Sequence, residues 1–177
     1  HPFIVTLSTQ LITYGIILWF FGLNGNNGQP FSGLSKSYKE FVGGELFRLG
    51  GVAVPMYVLY AVILVAVMWF VWNKTAFGKN MFAVGSNEEA ARVSGVNVFR
   101  TVMFVFMLAG IMYGLTGFIE GARIASAASY TGQNYESDAI AACVIGGVSF
   151  VGGTGRVSGV VLGVLLLQII FDYSFSS

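Results

Sequence analysis

Long apolar blocks, almost free of charge, constrain this chain more than any other feature. Three of them, 3–22, 52–72 and 99–119, each match the roughly 20 helical residues that cross a hydrocarbon layer about 30 Å thick. Their only charged residue is Arg100, at the edge of the third block. Because only 10% of the 177 residues are charged, the chain cannot cover a water-soluble surface. The blocks predict an all-α, polytopic transmembrane bundle in contact with the lipid bilayer.

A fourth apolar region is interrupted by glycines. The run 139–151 is too short to cross a bilayer alone, and Gly152-Gly153-Thr154-Gly155-Arg156 separates it from the run 157–173. Backbone groups freed by such a break are tolerated only where protein or a water-filled path covers them. The pattern indicates a broken or re-entrant helix, with a single kinked helix as an equal alternative.

Glycines also recur at four-residue spacing, which is typical of membrane helices that pack closely. They are Gly110 and Gly114, Gly117 and Gly121, and Gly155, Gly159 and Gly163. This spacing predicts a helix bundle and carries no information about a transported molecule.

Both ends of the chain are interpreted as cuts through a longer protein. His1 precedes an apolar stretch without an initiator Met or a basic segment, so this stretch is predicted to be a span rather than a targeting signal. We place the polar segment 73–98 in the cytoplasm. Its three basic residues, with Arg100 adjacent, compare with three in the segment 23–51 and one in the loop after the third block, so charge bias gives weak support. The segment 23–51 has no motif that we can interpret.

Several function classes are disfavoured. A net charge of +1 gives no sign of nucleic-acid binding. Cys143 is the only cysteine, so we expect no intrachain disulfide and no paired-cysteine metal site. The stretch 152–156 lacks the lysine of a phosphate-binding loop, and no nucleophile–base pair is visible. We therefore expect a non-catalytic chain without a metal or a cofactor of its own.

The polar segment 73–98 contains the pattern of one short helix. Ser86 followed by Glu89 is a capping box, Glu88 and Glu89 favour a first turn, and Gly95 suits a left-handed cap. The residues assigned to this helix are Ser86, Asn87, Glu88, Glu89, Ala90, Ala91, Arg92 and Gly95. Because a helix this short is marginal in water, we predict that it docks on another surface.

The spacing Glu89-Ala90-Ala91, three residues, Gly95 resembles the first part of the EAA motif of ABC importer permeases. The segments 73–75, 77–80, 94–98 and 138–150 are similar to the ribose/galactose branch of that family, whose members are related to branched-chain permeases. The similarity to the galactose/methyl-galactoside members is the greatest. No Leu-Pro follows Gly95, which sets the chain apart from the maltose-type importers.

This resemblance implies a fragment of a permease with the type II importer fold, in the bacterial cytoplasmic (inner) membrane. The helix around Glu89 would be the coupling helix that docks a separate ABC ATPase subunit, and ATP and Mg would be bound by that subunit. Further implied partners are an extracytoplasmic sugar-binding protein and a second permease copy in a homodimer. The implied substrate is a monosaccharide such as galactose or a methyl-galactoside.

Candidate residues of the translocation path lie around the interrupted helix. Glu136 and Asp138 stand before it, at its predicted outer mouth, and Gly146 and Gly147 lie within it. Ionisable residues at membrane depth are often functional, but these two carboxylates also fit a solvated loop or a pairing with Arg123.

A secondary transporter or channel is the alternative function, because it would share the broken helix. It would also place ionisable groups inside the spans, and the three clear blocks offer no such carrier residue away from their edges. A membrane scaffold, the third class, predicts no cytoplasmic docking helix.

Overall fold

The computed structural model describes residues 2–23, 29–49 and 51–176. The predicted all-α fold is confirmed, with four short strands added to eight helices within the described residues. In chain order the elements are α1 (Pro2–Leu23), β1 (Phe31–Ser32), α2 (Lys36–Gly43), β2 (Glu45–Leu49), β3 (Val52–Pro55), α3 (Met56–Lys74), α4 (Ala76–Ser86), α5 (Glu88–Val93), α6 (Val98–Ile124), β4 (Ser126–Ala127), α7 (Tyr135–Ile145) and α8 (Val157–Ser176).

Four of the helices are long and apolar enough to cross a membrane. They contain the stretches Ile4–Leu23, Met56–Lys74, Val98–Ile124 and Val157–Ser174. In each helix at most 6% of the most apolar stretch is buried inside the chain. The buried hydrophobic side chains of the described residues are Phe21, Val42, Ala91, Ala122 and Ala142. Such large apolar surfaces require lipid or other protein around them.

Two helix boundaries differ from the apolar blocks. The block 52–72 begins as β3, which pairs antiparallel with β2, and Pro55 is the last residue of this strand rather than part of a first helical turn. Proline is tolerated there because β3 is an edge strand of a two-stranded sheet and a register shift lies beside this position. The block 99–119 continues to Ile124, where Arg123 forms two 2.7 Å hydrogen bonds with the Glu120 carboxylate. This mutual pairing allows the helix to extend past its last apolar turn.

The chain divides into two compact units. The first contains His1–Tyr57 and Thr116–Gln133, and the second contains Val58–Leu115 and Asn134–Ser177.

In the first unit, β1 and α2 pack on α1 and on the end of α6; both elements belong to the segment that had no interpretation from sequence. The Phe31 ring lies 4.9 Å from the Phe21 ring, and β1 pairs with β4. The Tyr38 hydroxyl donates a hydrogen bond to the Phe118 carbonyl, and the two rings are 4.9 Å apart. These contacts hold α2 and β1 against the spanning helices of this unit.

In the second unit, α4 folds back against the end of α3 at a glycine. The Thr75 hydroxyl caps α4 by accepting a hydrogen bond from Gly78 N at 3.2 Å, and Trp72 Nε1 donates to Met81 Sδ at 2.9 Å. A Cβ on Gly78 would lie 2.7 Å from the Val71 carbonyl oxygen. Helix α4 is not among the elements predicted from sequence, although Thr75 ahead of an apolar run is a usable N-cap signal.

The interrupted region forms an antiparallel pair of helices, α7 and α8, in the same unit. Gly146 faces Gly159, and Ala142 faces Gly163, so residue numbers rise along one helix as they fall along the other. A Cβ on Gly146 would lie 2.5 Å from the Gly159 carbonyl oxygen, closer than any real Cβ contact. The predicted close packing is therefore confirmed at Gly159 and Gly163. In the described part of the chain, Gly110, Gly114 and Gly117 have no such neighbour within 4 Å.

We expect Gly163→Ala to lower the free energy of unfolding by about 2 kcal/mol, because the added methyl group forces the Ala142 backbone away. Gly110→Ala is the matched control, since its Cβ meets nothing within 4 Å of described residues. Both substitutions favour the helix by up to about 1 kcal/mol, so their difference isolates the contact. Denaturant unfolding in detergent micelles measures it. Equal stabilities of the two variants would contradict the close α7–α8 crossing.

Candidate functional site

The short helix predicted around Glu89 is α5, and its N-terminus is capped by Asn87. The Asn87 side chain accepts a hydrogen bond from Ala90 N at 2.9 Å, with extended backbone angles typical of an N-cap. The predicted capping box on Ser86 is wrong. Ser86 is the last residue of α4, so its backbone is helical and cannot adopt the N-cap conformation.

The C-terminus of α5 closes with a left-handed glycine, as predicted. Gly95 has a φ of +83°, its N–H donates to the Arg92 carbonyl at 3.1 Å, and Val96 N donates to the Ala91 carbonyl at 3.0 Å. These two bonds form a Schellman motif, which satisfies carbonyls left free at a helix end. An independent cap at each end gives a helix of six residues a defined start and stop.

The two sides of α5 differ. Ala91 is buried, with 3% of its surface exposed, and attaches the helix to its own chain. Glu88 and Arg92 form an exposed ion pair at 2.9 Å, Glu89 is exposed, and Val93 is 90% exposed. Exposed pairs of this kind contribute less than about 1 kcal/mol, so stability does not explain the cluster of charges. The outward side of α5 is available to another protein.

A backbone contact joins the end of α4 to the turn between α7 and α8. A Cβ on Gly85 would lie 2.7 Å from Gly153 N, and one on Gly152 would lie 2.7 Å from the Gly85 carbonyl oxygen. Ser86 Oγ donates to the Gly153 carbonyl at 3.5 Å, the long end of the hydrogen-bonding range. Gly152 and Gly153 have φ values of +100° and +71°, which L side chains rarely adopt. Sequence reasoning missed this contact, since it joins glycines far apart along the chain.

The break between α7 and α8 begins with a second Schellman motif. Gly147 has a φ of +81°, its N–H donates to the Val144 carbonyl at 2.9 Å, and Val148 N donates to the Cys143 carbonyl at 3.0 Å. Ser149 N then donates to the Thr154 carbonyl at 3.2 Å. The single kinked helix is therefore wrong, because α7 ends with a complete cap. Gly146 and Gly147 have clear packing and capping roles, and their place in a translocation path stays a prediction.

Glu136 and Asp138 lie in the first turn of α7. Both are exposed, and acidic side chains near a helix N-terminus interact favourably with its dipole. Asn134, with a φ of 70°, accepts hydrogen bonds from Ser137 N and Asp138 N through its carbonyl. Arg123, the partner considered for them from sequence, forms its ion pair with Glu120 at 2.7 Å. A path role for the two carboxylates also stays a prediction.

Comparison with known proteins identifies the family. Residues 1–175 match the family described as the branched-chain amino acid transport system / permease component, and the chain belongs to this family. The predicted relationship to branched-chain-permease-like proteins is confirmed. With the four helices suited to crossing a bilayer, the family also confirms a multi-pass protein of the bacterial inner membrane.

The relatives are sugar permeases. The chain is 46% identical to the galactose/methyl galactoside import permease protein MglC of Haemophilus influenzae, over 96% of the chain and 49% of that protein. It is 48% identical to MglC of Treponema pallidum, over 94% of the chain and 31% of that protein. The ribose import permease protein RbsC of Escherichia coli is 37% identical, over 94% and 50% respectively. The chain thus spans half or less of the length of these relatives. No solved structure matches it.

We expect Asn87→Ala to destabilise α5 by about 1 kcal/mol, because Ala90 N loses its acceptor. Amide hydrogen exchange across 88–96 should accelerate by about fivefold for a loss of this size. Ser86→Ala is the control, since Ser86 does not cap this helix. Faster exchange in Ser86→Ala than in Asn87→Ala would restore the capping box and contradict the observed cap.

Proposed function

We propose that the chain is part of the permease subunit of an ATP-driven ABC importer for a monosaccharide, with galactose or a methyl galactoside as the first candidates. The proposal is supported by the relatives of 46–48% identity, which are named as import permeases for these sugars. Ribose, allose and xylose permeases are more distant, at 35–38% identity. The substrate is therefore inferred from graded similarity.

In this proposal α5 is the coupling helix that docks a separate ATPase subunit. The observation that carries it is the design of α5: two specific caps, one buried alanine and an exposed, charged outer side. The ATPase subunit would bind ATP and Mg. A sugar-binding protein would deliver the substrate from outside, and a second permease copy would complete the path as a homodimer, with Glu136, Asp138, Gly146 and Gly147 as candidate path residues.

Motion of α5 would reach the interrupted helix through α4. Gly85 touches the Gly152–Gly153 turn backbone to backbone, so no flexible side chain separates the two elements. This turn leads into α8, and Gly159 of α8 packs on Gly146 of α7. Closely packed backbones transmit small displacements because they have little room to absorb them.

The docking role is tested with Glu89→Lys in the full-length permease, co-expressed with its ATPase subunit and binding protein. We expect the ATPase subunit to be lost on purification, because charge reversal on the outer side of α5 opposes the complementary surface. Glu40→Lys is the matched control, an equivalent reversal on the exposed side of α2. Retention of the ATPase subunit by Glu89→Lys, with normal uptake, would contradict docking at α5. Uptake that persists without ATP would instead favour the secondary transporter.

The transmission route gives a second test, in reconstituted vesicles. We expect Gly85→Ala to reduce the sugar transported per ATP hydrolysed by at least about fivefold, the lower range of allosteric coupling, because its Cβ pushes the turn away. The ATPase subunit should still co-purify, since the outer side of α5 is unchanged. Gly110→Ala serves as the control substitution in an open position. An unaltered transport ratio in Gly85→Ala would remove α4 from the route.

A further inference from the structure

The loop 125–133 is here called the inner loop, because it reaches toward the centre of the membrane as argued below. It carries polar side chains and no charged residue. It contains Ser126, Ser129, Tyr130, Thr131 and Gln133. The whole loop lies in the first unit, together with α1 and β1. Its position relative to α1 gives it a functional meaning.

The inner loop starts level with the C-terminal end of α1. Phe31 packs against Phe21, near that end, and is paired with Ala127 in the β1–β4 register. The first residues of the loop are thereby fixed beside the last turn of the helix. On the membrane assignment, this is the region of one interface.

The other end of the inner loop reaches the middle of α1. The Gln133 side-chain amide donates a hydrogen bond to the Tyr14 hydroxyl at 2.9 Å. Tyr14 lies near the centre of the span Ile4–Leu23. The distance from the level of Phe21 to that of Tyr14 is about 10 Å along the helix axis, at about 1.5 Å per residue. The loop therefore descends from the interface into the central part of the membrane.

The backbone of the inner loop is irregular over this descent. Its turns are held by Thr131 N donating to the Ala128 carbonyl at 3.1 Å, Gln133 N donating to the Tyr130 carbonyl at 3.2 Å, and Ala128 N donating to Thr131 Oγ1 at 3.1 Å. Tyr130, Thr131 and Gln133 are exposed, with 63% of Tyr130 accessible. Irregular backbone and exposed polar groups at this depth cannot face lipid. They require either protein cover or water.

We propose that the inner loop lines a water-filled path near the centre of the membrane and contacts the sugar there. This inference rests on the proposed import function and assigns a substrate contact to it. Neutral hydroxyl and amide groups suit the hydroxyls of an uncharged monosaccharide, and the exposed Tyr130 ring offers an apolar face to the sugar ring. Transporters commonly hold substrates at this depth on interrupted segments, which agrees with the placement.

Within the inner loop, Gln133 is the inferred sugar contact and Tyr14 is its positioning residue. The amide nitrogen of Gln133 is fixed by the Tyr14 hydroxyl, which leaves its carbonyl oxygen to accept from a sugar hydroxyl. The residues between Ile124 and Glu136 carry no charge, so the loop itself offers only neutral hydroxyl and amide groups to a ligand. The chemistry of the loop thus favours a neutral polyol.

The experiment measures cysteine accessibility in the full-length permease, assembled with its ATPase subunit and binding protein in vesicles. Cys143, the only cysteine of this chain, and any others in the assembly are first replaced by alanine. Tyr130→Cys and Gln133→Cys are then treated with a membrane-impermeant, cationic methanethiosulfonate reagent. Ile12→Cys is the matched control, since Ile12 is an exposed apolar residue near the level of Tyr14 on α1. Labelling is repeated with whichever of galactose, ribose, allose or xylose the wild-type assembly takes up, and with L-glucose.

We expect both loop cysteines to label at least about tenfold faster than Ile12→Cys. The transported sugar, but not L-glucose, should slow this labelling by about fivefold, because bound sugar shields the cysteines in the occupied fraction of the protein. Labelling no faster than Ile12→Cys would mean that protein covers the loop. Equal rates with and without sugar would mean water without a sugar contact. Either result overturns the inference.

If Gln133→Cys fails to assemble, Tyr130→Cys decides, because Tyr130 is an exposed turn residue. Failure of wild-type uptake for every sugar would instead count against the proposed function.

Discussion

Every backbone N–H and C=O placed in hydrocarbon needs a partner within the protein, and this requirement shapes the whole chain. Long uninterrupted helices meet it directly. Where the apolar region 139–173 is interrupted, the structure supplies a specific device, the Schellman motif at Gly147 that closes α7. The short β1–β4 pair does the same between two loops. These two devices coincide with the interrupted helix and with the start of the inner loop.

Backbone proximity at glycine is the second constraint. Side chains contribute few buried contacts, so close approach of main chains at Gly78, Gly85 and Gly163 holds the second unit together. Van der Waals contact between backbones drives helix association where lipid removes the hydrophobic effect. The Gly85 contact connects α4, which leads directly into α5, to the turn between α7 and α8 without an intervening side chain. Packing and the proposed transmission of motion thus depend on the same atoms.

The long helices were predictable because composition alone determines them. A block of apolar residues that is long enough to cross the bilayer as a helix has no stable alternative there. The end of α6 was not, since the Glu120–Arg123 pair makes a polar extension possible only once both side chains are placed. Gly95 was predictable from a local rule. The Ser86 capping box failed because α4, itself unpredicted, takes Ser86 into its last turn. The contact of Gly85 with Gly153 and the depth of the inner loop depend on tertiary structure, which no local pattern encodes.

The unequal lengths of the spanning helices have a consequence for the surrounding lipid. At about 1.5 Å per residue, α3 with 19 residues is close to the hydrocarbon thickness, whereas α6 with 27 residues exceeds it by roughly 10 Å. The apolar part of α6 lies between Arg100 and Glu120 and is about 30 Å long, so the excess length is polar and extends beyond the acyl chains. Arg100 and Arg123 near the two ends of α6 resist sliding of either end into the acyl chains. The level at which the inner loop begins, directly after α6, is thereby fixed relative to the membrane surface by the charged end of this helix.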